Sequence, residues 1–220
     1  MDNLEPLRRL RNRYFVLRHG RSLANEEERI VSHPDHGVPQ YGLSEAGRRQ
    51  VEDAITKALR DGVLDGTTLI VASDFARTRE SAEIARALLG AQDTVLLTPK
   101  LRERFFGDWE KQHHSNYHRV WEADALDGGH TRNGVESTRE VLARTTSLLR
   151  DLERDYAGRN ILLVSHGDAL QILQTAFERV DSARHRLLPH LETGQIRELE
   201  WKAAPISSED VWITNESTPR

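Results

Sequence analysis

Tyr14-Phe15-Val16-Leu17-Arg18-His19-Gly20 is the stretch on which the reading of this chain turns. Four apolar, β-prone residues run straight into a cation, an imidazole and a glycine. Such a run reads as a buried strand, and the glycine as the break that ends it. Arg18 and His19 therefore stand where a strand gives way to a loop. Far along the chain the arrangement repeats, with Ile161-Leu162-Leu163-Val164 leading into Ser165-His166-Gly167. Two strand-end His-Gly pairs point to one pocket assembled from both ends of the chain.

Outward from these runs the pattern alternates. Strands are expected at 13–18, 67–73, 94–98, 160–165 and 196–201. Between the first four, apolar residues fall at helical spacing. In 44–61, Val51, Ala54, Ile55, Ala58 and Leu59 form one face, with Ser44 as N-cap and Gly62 as the stop. In 75–89, Ile84, Ala85, Leu88 and Leu89 repeat the pattern, with Asp74 as a candidate cap and Gly90 as the stop. A long stripe from Val141 to Tyr156 predicts a helix over 136–157, and another is expected from Asp168 to about Arg179. Strands alternating with helices imply an α/β fold, a three-layer α/β/α sandwich around a mainly parallel sheet. Ligands bind beyond the carboxyl ends of the strands in such sheets. Arg18-His19, Ser73-Asp74 and Ser165-His166 are thus expected to converge.

Residues 107–135 break the alternation. They carry Trp109, His113, His114, Tyr117, His118, Trp121 and His130 among Gly and Asp. A connection of this length is expected to be a lid or insert. His114 and His118 have the i,i+4 spacing of a zinc pair, but no third and fourth ligands are evident nearby, so no metal is expected.

Bulk properties narrow the class. The chain has 220 residues, enough for one domain with a full core. A net charge of -4 argues against a general nucleic-acid binder. There are no cysteines, which excludes thiol chemistry and fits a cytoplasmic location. Apolar runs are too short for a membrane span. Residues 1–12 read as a basic arm, 13–202 as the folded domain, and 203–220, rich in Pro, Ser, Thr and acids, as a disordered tail. Oligomeric state, monomer or homodimer, is open from sequence.

An imidazole among arginines suits phosphoryl transfer. A phosphate ester is anionic, so an enzyme must neutralise its oxygens, align a nucleophile and protonate the leaving oxygen. Arginine forks match phosphate oxygens, neutral imidazole attacks near pH 7, and a protonated carboxyl supplies the proton.

Several segments then fall into a known order. They are Leu17-Arg18-His19-Gly20-Arg21-Ser22 with Asn25; Leu43-Ser44-Glu45-Ala46-Gly47; Ser73-Asp74-Phe75-Ala76-Arg77-Thr78; Leu101 through Glu110; and Val164-Ser165-His166-Gly167-Asp168. Over roughly residues 13–200 the chain resembles the histidine phosphatase superfamily, also called the phosphoglycerate mutase-like family. The resemblance implies that His19 attacks phosphorus and becomes phosphohistidine. It implies that Arg18, Asn25, Arg77 and His166 hold the phosphoryl oxygens, and that Glu103 is the general acid. Arg21, Ser22 and Arg104 become candidate substrate contacts. No cofactor or metal is implied.

Bland readings compete at individual positions. Arg77 could make an i,i+3 pair with Glu80. Glu110 competes with Glu103 as the acid. Asn25 could cap a short helix, and Ser22 could simply shape the loop. Arg21 stands where many family members have Glu or Gln. The 25–43 loop is longer than usual, and Lys111 replaces a common glycine.

The resemblance implies a phosphomonoester hydrolase acting on a small phosphorylated metabolite and releasing inorganic phosphate, with no nucleic-acid or membrane partner. A cofactor-dependent phosphoglycerate mutase is the alternative. Those mutases carry an adjacent arginine pair in the lid, whereas Lys111, Arg119 and Arg132 stand alone here. A phosphoprotein phosphatase is a further alternative at the level of substrate. A silent phospho-ligand binder would lack His19, Arg18 or Glu103, all of which are present.

Overall fold

The computed structural model describes residues 10–202. Most of the proposed basic arm, and the whole proposed tail at 203–220, lie outside the described residues. Elements in chain order are β1 (Arg13–Arg18), α1 (Leu23–Glu26), α2 (Pro34–Gly37), α3 (Glu45–Arg60), β2 (Leu69–Ala72), α4 (Ala76–Leu89) and β3 (Leu96–Leu97). There follow α5 (Tyr117–Leu126), α6 (Thr138–Asp155), β4 (Asn160–Ser165), α7 (Gly167–Glu178) and β5 (Ile196–Leu199).

The sheet order is β3-β2-β4-β1-β5. β1 through β4 are parallel and β5 runs antiparallel beside β1 on one edge. Side chains alternate strictly between the faces, as the pleat requires. Tyr14, Val16, Ile161 and Leu163 pack under α6 and α7, while Phe15, Leu17, Leu162 and Val164 pack under α3 and α4. Both faces are covered, so the central strands are apolar throughout rather than alternating. This is the expected three-layer architecture.

Strand register positions the site. Arg18 pairs with Ser165, so the two His-Gly pairs leave the sheet side by side. The His19 N–H donates to the Ser165 carbonyl at 3.0 Å, and the Ser73 N–H to the Val164 carbonyl at 3.0 Å. The loop after β1 then runs tightly against α3. A Cβ on Gly20 would sit 2.1 Å from the Gly47 carbonyl oxygen, and one on Gly47 would sit 2.0 Å from that of Arg21. Only glycine fits at either position, which locks the loop carrying His19 onto the start of α3.

Local signals hold at most helix ends. Ser44 caps α3 through the Gly47 N–H at 3.2 Å. Ser137 and Glu140 form a reciprocal capping box at α6. Gly90 ends α4 in the left-handed conformation. Asp74 is a correction. The α4 N-cap is Phe75 with no side-chain cap, and Asp74 is held by both forks of Arg102 at 2.6 and 2.7 Å.

The 107–135 segment has a structure of its own. It contains α5, and Phe106, Val120 and Val135 close over Ile30 as a small separate core. Backbone bonds tie it to the loop after α1: Lys111 N–H to the Ile30 carbonyl at 2.8 Å, and Ile30 N–H to the Gln112 carbonyl at 2.9 Å.

Candidate active site

The ends of β1, β2 and β4 bring His19, Ser73 and His166 together, and Arg77 comes in from the first turn of α4. His19 is 3% exposed and His166 is fully buried. Their rings lie edge to face at 5.1 Å. The Arg77 Nε–H points between them, 3.1 Å from Nε2 of His19 and 3.2 Å from Nδ1 of His166. Arg77 is anchored through Nη2 to the Val31 carbonyl at 2.9 Å and lies over the Phe75 ring. It makes no pair with Glu80, which joins Arg48 instead. Burial pushes the Arg77 guanidinium down to about 10. It still carries its charge at neutral pH.

His19 Nδ1 lies 2.7 Å from the Gly20 carbonyl oxygen. Burial first, then the charges of Arg77 and Arg18, hold its imidazole well below the usual range. His166 is likewise held down by burial and then Arg77. Its Nε2 meets the Ser73 hydroxyl at 3.0 Å. Nδ1 accepts from Arg77 here, so Nε2–H donates to that hydroxyl, which can rotate to donate instead when an anion takes the Arg77 bond.

Arg18 Nη1 bonds the Leu191 carbonyl and Nε2 of His190, each at 2.8 Å. Its guanidinium rests against Gly167, where a Cβ would meet Cζ at 3.3 Å. Two buried guanidinium nitrogens, Arg18 Nε and Arg77 Nη1, have no hydrogen-bond partner among the described residues. Buried donors are seldom left in this state. Here both belong to cations beside one neutral imidazole, the donor set an oxyanion needs.

A cavity of about 230 Å³ opens beside this cluster and reaches it at Arg18 and Gly167; its wall includes Asn25, Glu103, Tyr117, Trp121 and Asp168, but not His19, Arg77 or His166. Glu103 Oε1 accepts the N–H groups of Arg104 and Ala169, each at 3.0 Å. Burial, and then the neighbouring Asp168 charge, raise the Glu103 carboxyl above its ordinary value. Glu110, the competing acid, accepts from the Ser32 backbone and hydroxyl and pairs with His36. It is not among the residues that line the cavity.

Other candidates fall differently. Asn25 lines the cavity, but its Oδ1 accepts from Ser22 N–H and Oγ at 3.0 and 2.9 Å. Its side chain offers an anion the Nδ2 donor. Ser22 is 1% exposed and spends its hydroxyl on this capping box, so it shapes the loop rather than touching substrate. Arg21 is half exposed and faces Glu26 outside the cavity. Arg104 is the clearest correction. It is fully buried, forked onto Asp124 at 2.6 and 2.7 Å, with further bonds to Asp168 and the Glu136 carbonyl. Its charge belongs to the scaffold.

Sequence reasoning missed other parts of the wall. Asp168 accepts from Trp121 Nε1 at 3.0 Å and from Arg104 at 3.3 Å. Burial alone would raise its carboxyl, but His185 and Arg104 outweigh that and hold it well below the usual range. Arg186 lies 3.7 Å over the Trp121 ring and bonds Gln171. Asp168 was legible as the residue after His166-Gly167. Arg186 and His190 carry no local motif.

The sequence model of the histidine phosphatase superfamily (branch 1) matches residues 14–211. The chain belongs to the histidine phosphatase superfamily. Among its relatives is a probable phosphoglycerate mutase, GpmB, of Enterobacter sp. (strain 638), 30% identical over 197 residues, covering 87% of this chain and 86% of the relative. A mycobacterial glucosyl-3-phosphoglycerate phosphatase, solved with inorganic phosphate, superposes with a TM-score of 0.67 at 26% identity, covering 84% of this chain and 88% of that one. An α-ribazole phosphatase from Shigella flexneri, with a TM-score of 0.65 at 24% identity over 84% of this chain and 89% of that one, shares the fold. In this member of the superfamily, the five-stranded sheet flanked by helices is the family's architecture. No helix among the described residues is long and apolar enough to cross a membrane.

Proposed function

We propose that this chain hydrolyses a small phosphate monoester through a phosphohistidine on His19. The carrying observation is a pair of buried donors without a partner among the described residues, Arg18 Nε and Arg77 Nη1, beside a neutral imidazole. A phosphoryl group satisfies both donors and takes the Arg77 Nε–H that now rests on His19 Nε2. That exchange frees the Nε2 lone pair.

The first step forms the Nε2–P bond and breaks the bond from phosphorus to the ester oxygen. The Glu103 carboxylic acid gives its proton to the departing alkoxide. In the second step water attacks phosphorus and gives its proton to the Glu103 carboxylate. The N–P electrons return to His19, and inorganic phosphate leaves. Arg18, Arg77, His166 and Asn25 Nδ2 carry the oxygens through both steps. Charge is balanced throughout by fixed side chains.

The walled cavity of about 230 Å³ supports a small substrate over a folded phosphoprotein. A mutase reading draws on the name of the GpmB relatives and on Arg29 and Arg186, which line the cavity and could meet a second acidic group. Arg29 is paired with Glu27 at 3.2 Å, and Arg186 is engaged by Trp121 and Gln171. Neither is uncommitted, which favours hydrolysis. The cysteine-free chain suits a cytoplasmic location.

Phosphate release should be measured across sugar phosphates, phosphoglycerates, nucleotides and phosphopeptides, with a 3- to 2-phosphoglycerate interconversion assay alongside. The expected result is release from a small ester, retained in the presence of a chelator. Rapid interconversion with negligible phosphate release would replace this reading with the mutase.

A further inference from the structure

Outside the anion clamp, one cluster of metal-binding side chains stands at the rim of the cavity. Glu28, His113 and His114 each place a ligand atom within 4.8 Å of the others. Nε2 of His113 is 3.0 Å from Glu28 Oε2, and the two imidazoles lie edge to face at 4.7 Å. The histidines come from the 107–135 segment and the carboxylate from the loop after α1. The i,i+4 pair singled out by spacing, His114 and His118, is not the one brought together. Glu28 is the third ligand that spacing along the chain does not reveal.

Backbone bonds hold this meeting point. His114 N–H donates to the Glu28 carbonyl at 2.8 Å, and Arg29 and His113 form an antiparallel bridge. The side chains therefore need small rotations, not loop movement, to converge on an ion. Metal-bound histidine usually gives its second ring N–H to an acceptor, which fixes the tautomer. Nδ1 of His113 accepts from the Ser115 N–H at 3.2 Å and lies 2.9 Å from the Ser115 hydroxyl, so binding an ion through Nε2 shifts the ring proton to Nδ1, where that hydroxyl can accept it.

We propose that Glu28, His113 and His114 form a site for a zinc-class divalent cation. Two imidazoles and one carboxylate are a borderline ligand set that suits zinc, cobalt or nickel over magnesium or calcium. Three protein ligands leave a coordination position for water. The bound ion ties the insert to the loop that follows α1 and Asn25, and His114 lines the cavity as well, so the ion sits beside substrate access. It is separate from the reaction: no phosphoryl-transfer step passes through it.

The test is calorimetric titration of the full chain with zinc chloride, paired with visible absorption of the cobalt(II) form. Wild type, Glu28→Gln, His113→Ala, His114→Ala and, as a control, His36→Ala are compared. The three ligands are exposed, so metal-free melting temperatures should match wild type and exclude misfolding. The expected result is one ion per chain, at least tenfold weaker binding in each ligand variant, and unchanged binding in the control. The ligand-field bands of cobalt should be lost in His113→Ala. No binding by wild type, or affinities unaltered by all three ligand substitutions, would overturn the site.

Discussion

His19 donates its Nδ1–H to the carbonyl oxygen of Gly20 across 2.7 Å. A carbonyl only accepts, so Nδ1 keeps its proton and Nε2 carries the lone pair, aimed at the Arg77 side of the cluster. Burial and the flanking arginines then oppose protonation of the ring. A backbone contact between neighbours thus sets which nitrogen of the imidazole can attack, and the predictions below follow from that assignment and from what surrounds it.

Glu103 must be protonated to release the alcohol, and burial beside Asp168 raises its carboxyl. The value of kcat/KM should therefore fall on the alkaline side as Glu103 loses its proton. Glu103→Gln should lose that limb and slow turnover by about 10²- to 10⁴-fold on alkyl phosphates. The loss should be smaller on nitrophenyl phosphate, whose leaving group needs no proton. Equal losses on both esters would remove Glu103 from the role of acid.

Arg77 supplies a fork, not merely a charge. Inorganic phosphate at about a hundredfold excess over its Kd should stabilise wild type by about 2.7 kcal/mol, read as a rise in melting temperature. Arg77→Lys should lose most of that rise and about 10²- to 10³-fold in kcat, the scale of one lost transition-state donor. An undiminished phosphate shift in Arg77→Lys would show that the anion binds elsewhere.

The two buried imidazoles also make stability depend on pH. Both are held well below the ordinary value of 6.5, so the unfolded chain binds protons that the folded site refuses. Their contribution is complete above that value and shrinks as pH falls through it, until the folded values are reached. The slope is at most about 1.4 kcal/mol per pH unit for each imidazole. Urea unfolding followed from about pH 7.5 down to about pH 5 should show a shallower decline in His166→Asn than in wild type. Parallel declines would mean that His166 takes up its proton in the native state.

Arg104 belongs to the scaffold. Asp124→Ala strips the main partner from a fully buried guanidinium and should cost about 3–5 kcal/mol in urea unfolding. The double variant Arg104→Met, Asp124→Leu should recover much of that loss. A mild Asp124→Ala phenotype accompanied by a raised KM would return Arg104 to the substrate.

What the sequence revealed and what it hid have physical causes. The strand-end motifs were legible because apolar runs closed by His-Gly leave few choices of layer or end. Asp74 misled because a local capping position was outcompeted by a two-pronged partner, Arg102, from another segment. Arg104 misled because it follows the acid in sequence, while its partners Asp124 and Asp168 lie 20 and 64 residues away. The order within 107–135 was hidden because α5 buries little more than Val120 and Asp124 on its own, and its companions Ile30 and Phe106 come from outside it. Glu28 could not be joined to His113 from spacing, since 85 residues separate them.

The account rests on His19 as the attacking group, and trapping tests this most directly. The enzyme should be quenched during turnover of a labelled phosphomonoester and the adduct located by peptide mapping. The account predicts an acid-labile, base-stable label on His19, absent in His19→Ala. Label on His166, or turnover with no covalent adduct and full activity in His19→Ala, would contradict it.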